Sequence, residues 1–225
     1  MPKKVRSLWD ELEDFARVHI RVEAQPAGGG RPPGVRLEQD GAALILGANG
    51  YMPAGAVFHE LHHLRRAWIE GTPSINTGYG DPTALAFAAR IENDLEHLHV
   101  FERQREADLD LPGLRSNQFK AIFSAFPWPN NSAHQRREAC LMYWLLHRYL
   151  EDAETEAVRR AAISLGLMDE AMAFRENALA LLGDKPRLVS CAFHFLNHEP
   201  NLFRLRFTKI QTQEYWFEPI PAYCG

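Results

Sequence analysis

Residues His59-Glu60-Leu61-His62-His63 place two imidazoles four positions apart, with a carboxylate directly after the first. On a helix, positions i and i+4 share one face, so His59 and His63 can grip one divalent metal, zinc above all. Glu60 then stands beside the metal without needing to ligate it. A carboxylate in that place can take a proton from metal-bound water, which is the chemistry of a zinc hydrolase. The ordinary alternative is an amphipathic helix with solvated histidines, a real competitor in a chain with 10 histidines among 225 residues.

Two histidines are not enough. A catalytic zinc takes three protein ligands and keeps one position open for water. The next long helical stretch runs through Arg90-Ile91-Glu92-Asn93-Asp94-Leu95-Glu96-His97-Leu98-His99. Glu92, Glu96 and His99 recur there at i, i+4 and i+7, beside an apolar stripe of Phe87, Ala88, Ile91, Leu95 and Leu98. Glu92 is the expected third ligand, with Glu96, Asp94, His97 and His99 as alternatives. Glu96 is also spaced to accept the free N–H of a liganding histidine and so fix its tautomer. A solvated face with i,i+4 charge pairs is the plain reading of the same stripe.

The elements that must position these residues can be read in turn. Pro53, the apolar spacing of Ala54, Ala56, Val57, Phe58, Leu61, Leu64 and Trp68, and the stop Gly71-Thr72-Pro73 predict the motif helix. Upstream, residues 4–17 predict a helix and 19–24 a strand. Residues 25–34 predict a Gly/Pro-rich loop, and 35–37 and 42–46 predict two strands around a turn at Asp40-Gly41. Downstream, 72–81 reads as a loop, and Pro82 opens a helix to about Arg105 with Asp81 as its N-cap. Residues 107–132 are irregular. Residues 133–150 predict a largely buried helix, and 154–165 and 169–182 a helical pair joined at Gly166. Residues 188–197 fit helix or strand. Residues 202–208 and 213–218 predict a closing hairpin, and the strands near both chain ends are placed to join one sheet.

Strands, then an H-E-x-x-H helix, a loop and a glutamate-bearing helix: this order resembles the zincin fold of metallopeptidases. Glu92-Asn93-Asp94-Leu95-Glu96 resembles the E-x-x-x-D pattern of the gluzincin branch, with glutamate at 96 where that branch has aspartate. The short separation of His63 and Glu92 (92 − 63 = 29 residues) and the small upstream sheet are similar to compact ImmA/IrrE-type peptidases, which are intracellular and cleave or antagonise transcriptional repressors. The resemblance covers roughly residues 19–105. It implies an α+β, zincin-like small sheet packed on the metal-binding helices, one Zn²⁺ held by His59, His63 and Glu92, and Glu60 as general base. The expected organisation is a catalytic region over 1–105 and a mostly helical region over 106–225 packed on it, as one integrated domain. The expected activity is peptide-bond hydrolysis on a specific intracellular protein or peptide. A zinc amidohydrolase acting on a small molecule and a non-catalytic zinc-binding regulator are the rival readings.

Other constellations carry less. His62 reads as a helix-surface or substrate-side residue. Cys191, His194 and His198 stand at metal-like intervals, and a core cysteine with satisfied histidines is the simpler reading. Tyr79, His134, His147 and His194 are candidates for stabilising an oxyanion. The stripe Leu141, Trp144, Leu145 and Tyr149 reads as core, and Arg136-Arg137 as a surface pair. Residues 158–167 resemble the turn of helix-turn-helix proteins. The helix that follows, however, sets Asp169, Glu170 and Glu176 against Arg175 alone, which argues against groove reading.

Composition sets outer limits. A net charge of −4 and pI of about 6.2 supply no basic field for nucleic acid or anionic membrane. No apolar run is long enough to span a bilayer, and no signal peptide is evident. Three scattered cysteines suit a reducing cytoplasm.

Overall fold

A computed structural model of the chain describes residues 1–24, 34–37, 43–47, 53–78, 82–109 and 132–224. The loop over 25–33, the turn at Asp40-Gly41, Tyr79, Asp81 and most of the irregular stretch over 107–132 lie outside the described residues. The class is α+β, as the alternation of helical and strand periods predicts. The chain divides into two units, each discontinuous in sequence: Met1–Ser74 with His99–Leu111 and Arg206–Trp216, and Ile75–Leu98 with Pro112–Leu205 and Phe217–Gly225.

In the first unit, α1 (Lys3–Ala16) buries Val5, Leu8, Leu12 and Ala16, one face of a helix. It ends where Arg17 turns left-handed (φ 55°) and returns its N–H to Glu13 O. Strands β1 (Ile20–Ala24), β2 (Gly34–Leu37) and β3 (Ala43–Gly47) form a sheet in the order β1-β3-β2. β3 runs parallel to β1, with Val22 opposite Ile45, and antiparallel to β2, with Val35 opposite Ile45. The motif helix α2 (Ala54–Trp68) packs on α1 and touches β2 and β3. Its apolar face, Val57, Phe58, Leu61, Leu64 and Trp68, joins the core made by α1, Ile20, Ala43 and Ile210.

Helix α3 (Pro82–Glu106) runs through both units. The second unit is otherwise mostly helical: α4 (Ala133–Leu145), α5 (Asp152–Ser164), α6 (Met168–Ala180) and α7 (Lys185–Phe195). α4 packs on α5 and α6, and α6 packs on α7. Ser132 and Gln135 close a capping box that starts α4. The expected helix over 133–150 is interrupted after Leu145 and continues as a 3-10 turn over His147–Tyr149. Leu141, Leu145 and Tyr149 are buried as expected, and Tyr149 donates its hydroxyl proton to Leu98 O at 2.8 Å. Gly166 (φ 67°) turns the α5–α6 hairpin. The ambiguous segment at 188–197 is helix α7, begun at Asp184, whose carboxylate accepts from Arg187 N.

Two expectations are corrected. Part of the supposed loop after α2 is a strand, β4 (Ser74–Thr77), in which Ile75 and Thr77 alternate inward. The strands near the two chain ends do not share a sheet. β4 lines up with β5 (Phe203–Lys209) and β6 (Glu214–Pro219) in a second sheet, while β1 is paired to β3. Among the described residues no helix is long and apolar enough to cross a membrane.

Candidate metal centre

α2 starts at Pro53, whose extended ψ of 152° feeds the helix without a side-chain cap. The helical repeat then sets His59 and His63 one above the other, with ring centroids 4.8 Å apart. Their Nε2 atoms are 3.1 Å apart. Two ligands of a tetrahedral zinc, with bonds of about 2.0–2.1 Å, stand roughly 3.3 Å apart, so the pair is close to a ligating geometry.

The tautomer of His59 follows from its partner. Gln104, buried on α3, donates from Nε2 to Gly55 O at 3.0 Å. Its Oε1 therefore faces His59 Nδ1, also at 3.0 Å, and Nδ1 must carry the proton. The lone pair is left on Nε2, the nitrogen turned toward His63. Burial holds the His59 pKa below its ordinary value, which keeps the ring neutral and able to donate that lone pair to a metal. This is how a ligand histidine is commonly oriented, with an outer acceptor on its other ring nitrogen.

Gln104 has no counterpart in the sequence reading, which assigned this supporting role to Glu96. A neutral amide belongs to no catalytic motif. The available signal was helical spacing: His97, Phe101 and Gln104 stand at i, i+4 and i+7 on α3, and Phe101 and Gln104 both touch the His59 ring. Within the second unit, His97 Nδ1 is 3.4 Å from the amide nitrogen of Asn93, one turn back. The two imidazoles on α2 are donors suited to zinc and its first-row neighbours.

Glu92, the expected third ligand, is engaged differently. Its Oε1 accepts from Lys185 Nζ at 3.0 Å and its Oε2 from the Ile75 amide at 2.9 Å. Glu96 also pairs with Lys185. Burial raises the Glu92 pKa, and the Lys185 ammonium opposes that rise. The two carboxylates one turn apart therefore share one buried cation. Lys185 was missed because 93 residues separate it from Glu92.

Glu60 is half-buried, and burial pushes its carboxyl up to about 7. A carboxyl poised near neutrality is suited to exchange protons with water. His62 is corrected from a surface residue to a buried one. It meets the Phe58 ring edge-on at 4.5 Å, and burial, aided by Arg65 and Arg103, lowers its pKa to about 4. Asp94 is pushed up to about 7 by burial, with Arg90 opposing.

The oxyanion candidates that are described have other partners. His147 Nδ1 donates to Trp144 O at 2.7 Å and its ring stacks on Trp144. His194 stacks on Tyr223, with centroids 4.3 Å apart. His134 meets Glu138 and His198. Cys191 is fully buried, which fits the core reading, and burial raises its thiol to about 11. Arg137 is corrected from a surface residue: it forks onto Glu170 and donates to Phe195 O at 2.8 Å, tying α4 to α6 and α7.

No protein-family profile, no curated protein and no solved structure matches the chain.

Proposed function

We propose that this protein is a zinc-dependent, zincin-like hydrolase that cleaves peptide bonds, with His59 and His63 as metal ligands. One observation carries the reading. Gln104 fixes the His59 proton on Nδ1, so the Nε2 lone pair faces His63 Nε2 on the next turn, 3.1 Å away. A histidine that was merely packed would have no need of an acceptor aimed at that nitrogen. The metal, when bound, supplies Lewis acidity and makes water acidic enough to serve as a nucleophile at neutral pH.

The chain's own residues do the rest. Gln104 and the Phe101 ring hold His59 in orientation. Glu60, directly after the first ligand, takes a proton from the attacking water and gives it to the leaving amine. Glu92 and Glu96, bridged by Lys185, stabilise the fold in this reading. Glu92, the third ligand that the sequence predicts, is engaged by Lys185 and the Ile75 amide.

The test is metal analysis of the purified full chain combined with hydrolysis of a mixed peptide library read by mass spectrometry. Zinc should fall by one equivalent per chain in His59→Ala/His63→Ala, and cleavage should vanish with it. Zinc binding without cleavage of any library member would favour the regulatory reading. Cleavage that persists in the double variant would refute the proposal.

A further inference from the structure

A second convergence of ligand atoms lies wholly within the second unit. His134 Nε2, His198 Nε2 and Glu138 Oε1 face one another, with separations of 3.0 Å between the two nitrogens and 2.6 and 3.0 Å from them to the oxygen. Hydrogen bonds can join both nitrogens to Oε1, but they leave the 3.0 Å contact between the nitrogens unfavourable. If both nitrogens carry hydrogen, two donors are pressed together. If only one does, a bare nitrogen lone pair faces the carboxylate. A single cation in contact with all three atoms removes both conflicts. Two of the separations are about 0.3 Å and one about 0.7 Å under the roughly 3.3 Å between tetrahedral zinc ligands, so the three donors need spread only slightly to hold an ion.

Two of the three donors are held in place from behind. Glu138 is four residues after His134 on α4, so helical geometry puts both on one face. The second oxygen of Glu138 accepts from Arg90 at 2.5 Å, which orients the buried carboxylate and leaves Oε1 for the cluster. His198 follows the end of α7. There Asn197 turns left-handed (φ 55°), Asn197 N donates to His194 O and His198 N to Phe193 O, a Schellman stop. The stop brings His198 back across the helix end, and the Phe87 ring stacks on it at 3.6 Å between centroids. Carboxylate and ring are thus oriented before any ion arrives, as a built site requires. The His134 side chain is 44 % exposed, so the cluster opens to solvent on one side.

We propose that His134, Glu138 and His198 bind a divalent zinc-class cation, which fastens the segment after α7 to the start of α4. Two imidazoles and one carboxylate match the preference of zinc for nitrogen and oxygen donors, and a fourth position stays available to water. The site uses none of the residues of the α2 centre.

Zinc content of the full chain, after dialysis against buffer of low free zinc, is the direct test. In a His59→Ala/His63→Ala background the chain should retain one zinc. Adding His134→Ala/His198→Ala should remove it. An unchanged zinc count on that addition would overturn the proposal. The count lost with His59 and His63 reports on the α2 centre alone, so failure of one site is distinguishable from failure of the other. If the combined variant does not fold, His134→Ala serves instead, because this exposed residue sits in the first helical turn. In the His59→Ala/His63→Ala chain its affinity for zinc should drop by about 100-fold or more, at least as much as for loss of an outer hydrogen bond to a ligand. Equal affinity, or a melting temperature that zinc does not raise in the His59→Ala/His63→Ala chain, would show a cluster held by hydrogen bonds only.

Discussion

The histidine pair on α2 and the glutamate pair on α3 have the same spacing and opposite fates. His59 and His63 stand at i, i+4, and so do Glu92 and Glu96. Spacing alone makes each pair a candidate half of a metal site. What separates them is the third group each one meets. Behind His59 stands a neutral amide acceptor, Gln104, which accepts a hydrogen bond from Nδ1–H and so places the lone pair on Nε2, facing His63. Between the two glutamates stands the Lys185 ammonium, which occupies oxygens a cation would need. A ligand-capable pair is shaped by whether its surroundings are neutral and fix its protons or are cationic and claim its oxygens.

The comparison can be broken at several points, from the largest effect down. If the α2 pair carries catalysis, Glu60→Gln should keep zinc and fold while lowering kcat by about 10²–10⁴-fold, the usual contribution of a general base. Zinc content by mass spectrometry and cleavage of the peptide library measure the two halves of that statement. Wild-type turnover in this variant would make α2 a metal-binding helix without catalysis.

On the other side of the comparison, Lys185→Met removes the cation and leaves the buried Glu96 and the half-buried Glu92 carboxylates against each other. The expected loss is about 3–5 kcal/mol of unfolding free energy, the cost of stranding a buried charge. Urea denaturation would measure it. A neutral result would mean that Glu92 and Glu96 do not depend on Lys185 and are open to another cation.

A smaller effect sharpens the first half. Gln104→Leu should weaken zinc binding by about 10–100-fold, as losses of outer hydrogen bonds to ligand histidines do. Competition with a chromogenic chelator reads this directly. Unchanged affinity would remove the tautomer argument.

The fourth prediction concerns Asp94, which lies between the two glutamates in sequence and carries a pKa raised to about 7 by burial, against Arg90. Its folded pKa lies above its unfolded value of 3.8. Between those values the folded state binds more protons, so stability falls as pH rises from about 4 to 7 and stays lower above. Asp94→Asn removes that loss. It should stabilise the protein at pH 8 by on the order of 1–3 kcal/mol and change little at pH 4. Melting temperatures at the two pH values give the answer. A larger gain at pH 4 would reverse the sign and place Asp94 in a favourable ion pair.

Local chemistry was legible wherever short-range order decides. The period of Val57, Phe58, Leu61, Leu64 and Trp68 predicts α2 and its buried face, and Gly166 marks the α5–α6 turn. Strand β4 was not legible, because Gly71, Pro73 and Gly78 around it are turn residues and only Ile75 and Thr77 alternate inward. Helix α7 was half-legible. Asp184 and Pro186 are start signals, but the apolar run over 188–196 fits either element until its neighbours are known.

By itself the sequence determined that two imidazoles share a face of α2 and that a carboxylate follows the first, since a helical repeat is a property of neighbours along the chain. It also determined the α+β class, through the periods of its apolar residues. Only the tertiary structure decided which distant side chain meets each pair. Gln104 reaches His59 across 45 residues, Lys185 reaches Glu92 across 93, and His198 reaches Glu138 across 60. Those encounters depend on how helices pack, and packing follows from the summed burial of apolar faces rather than from the polar residues that the packing happens to bring together.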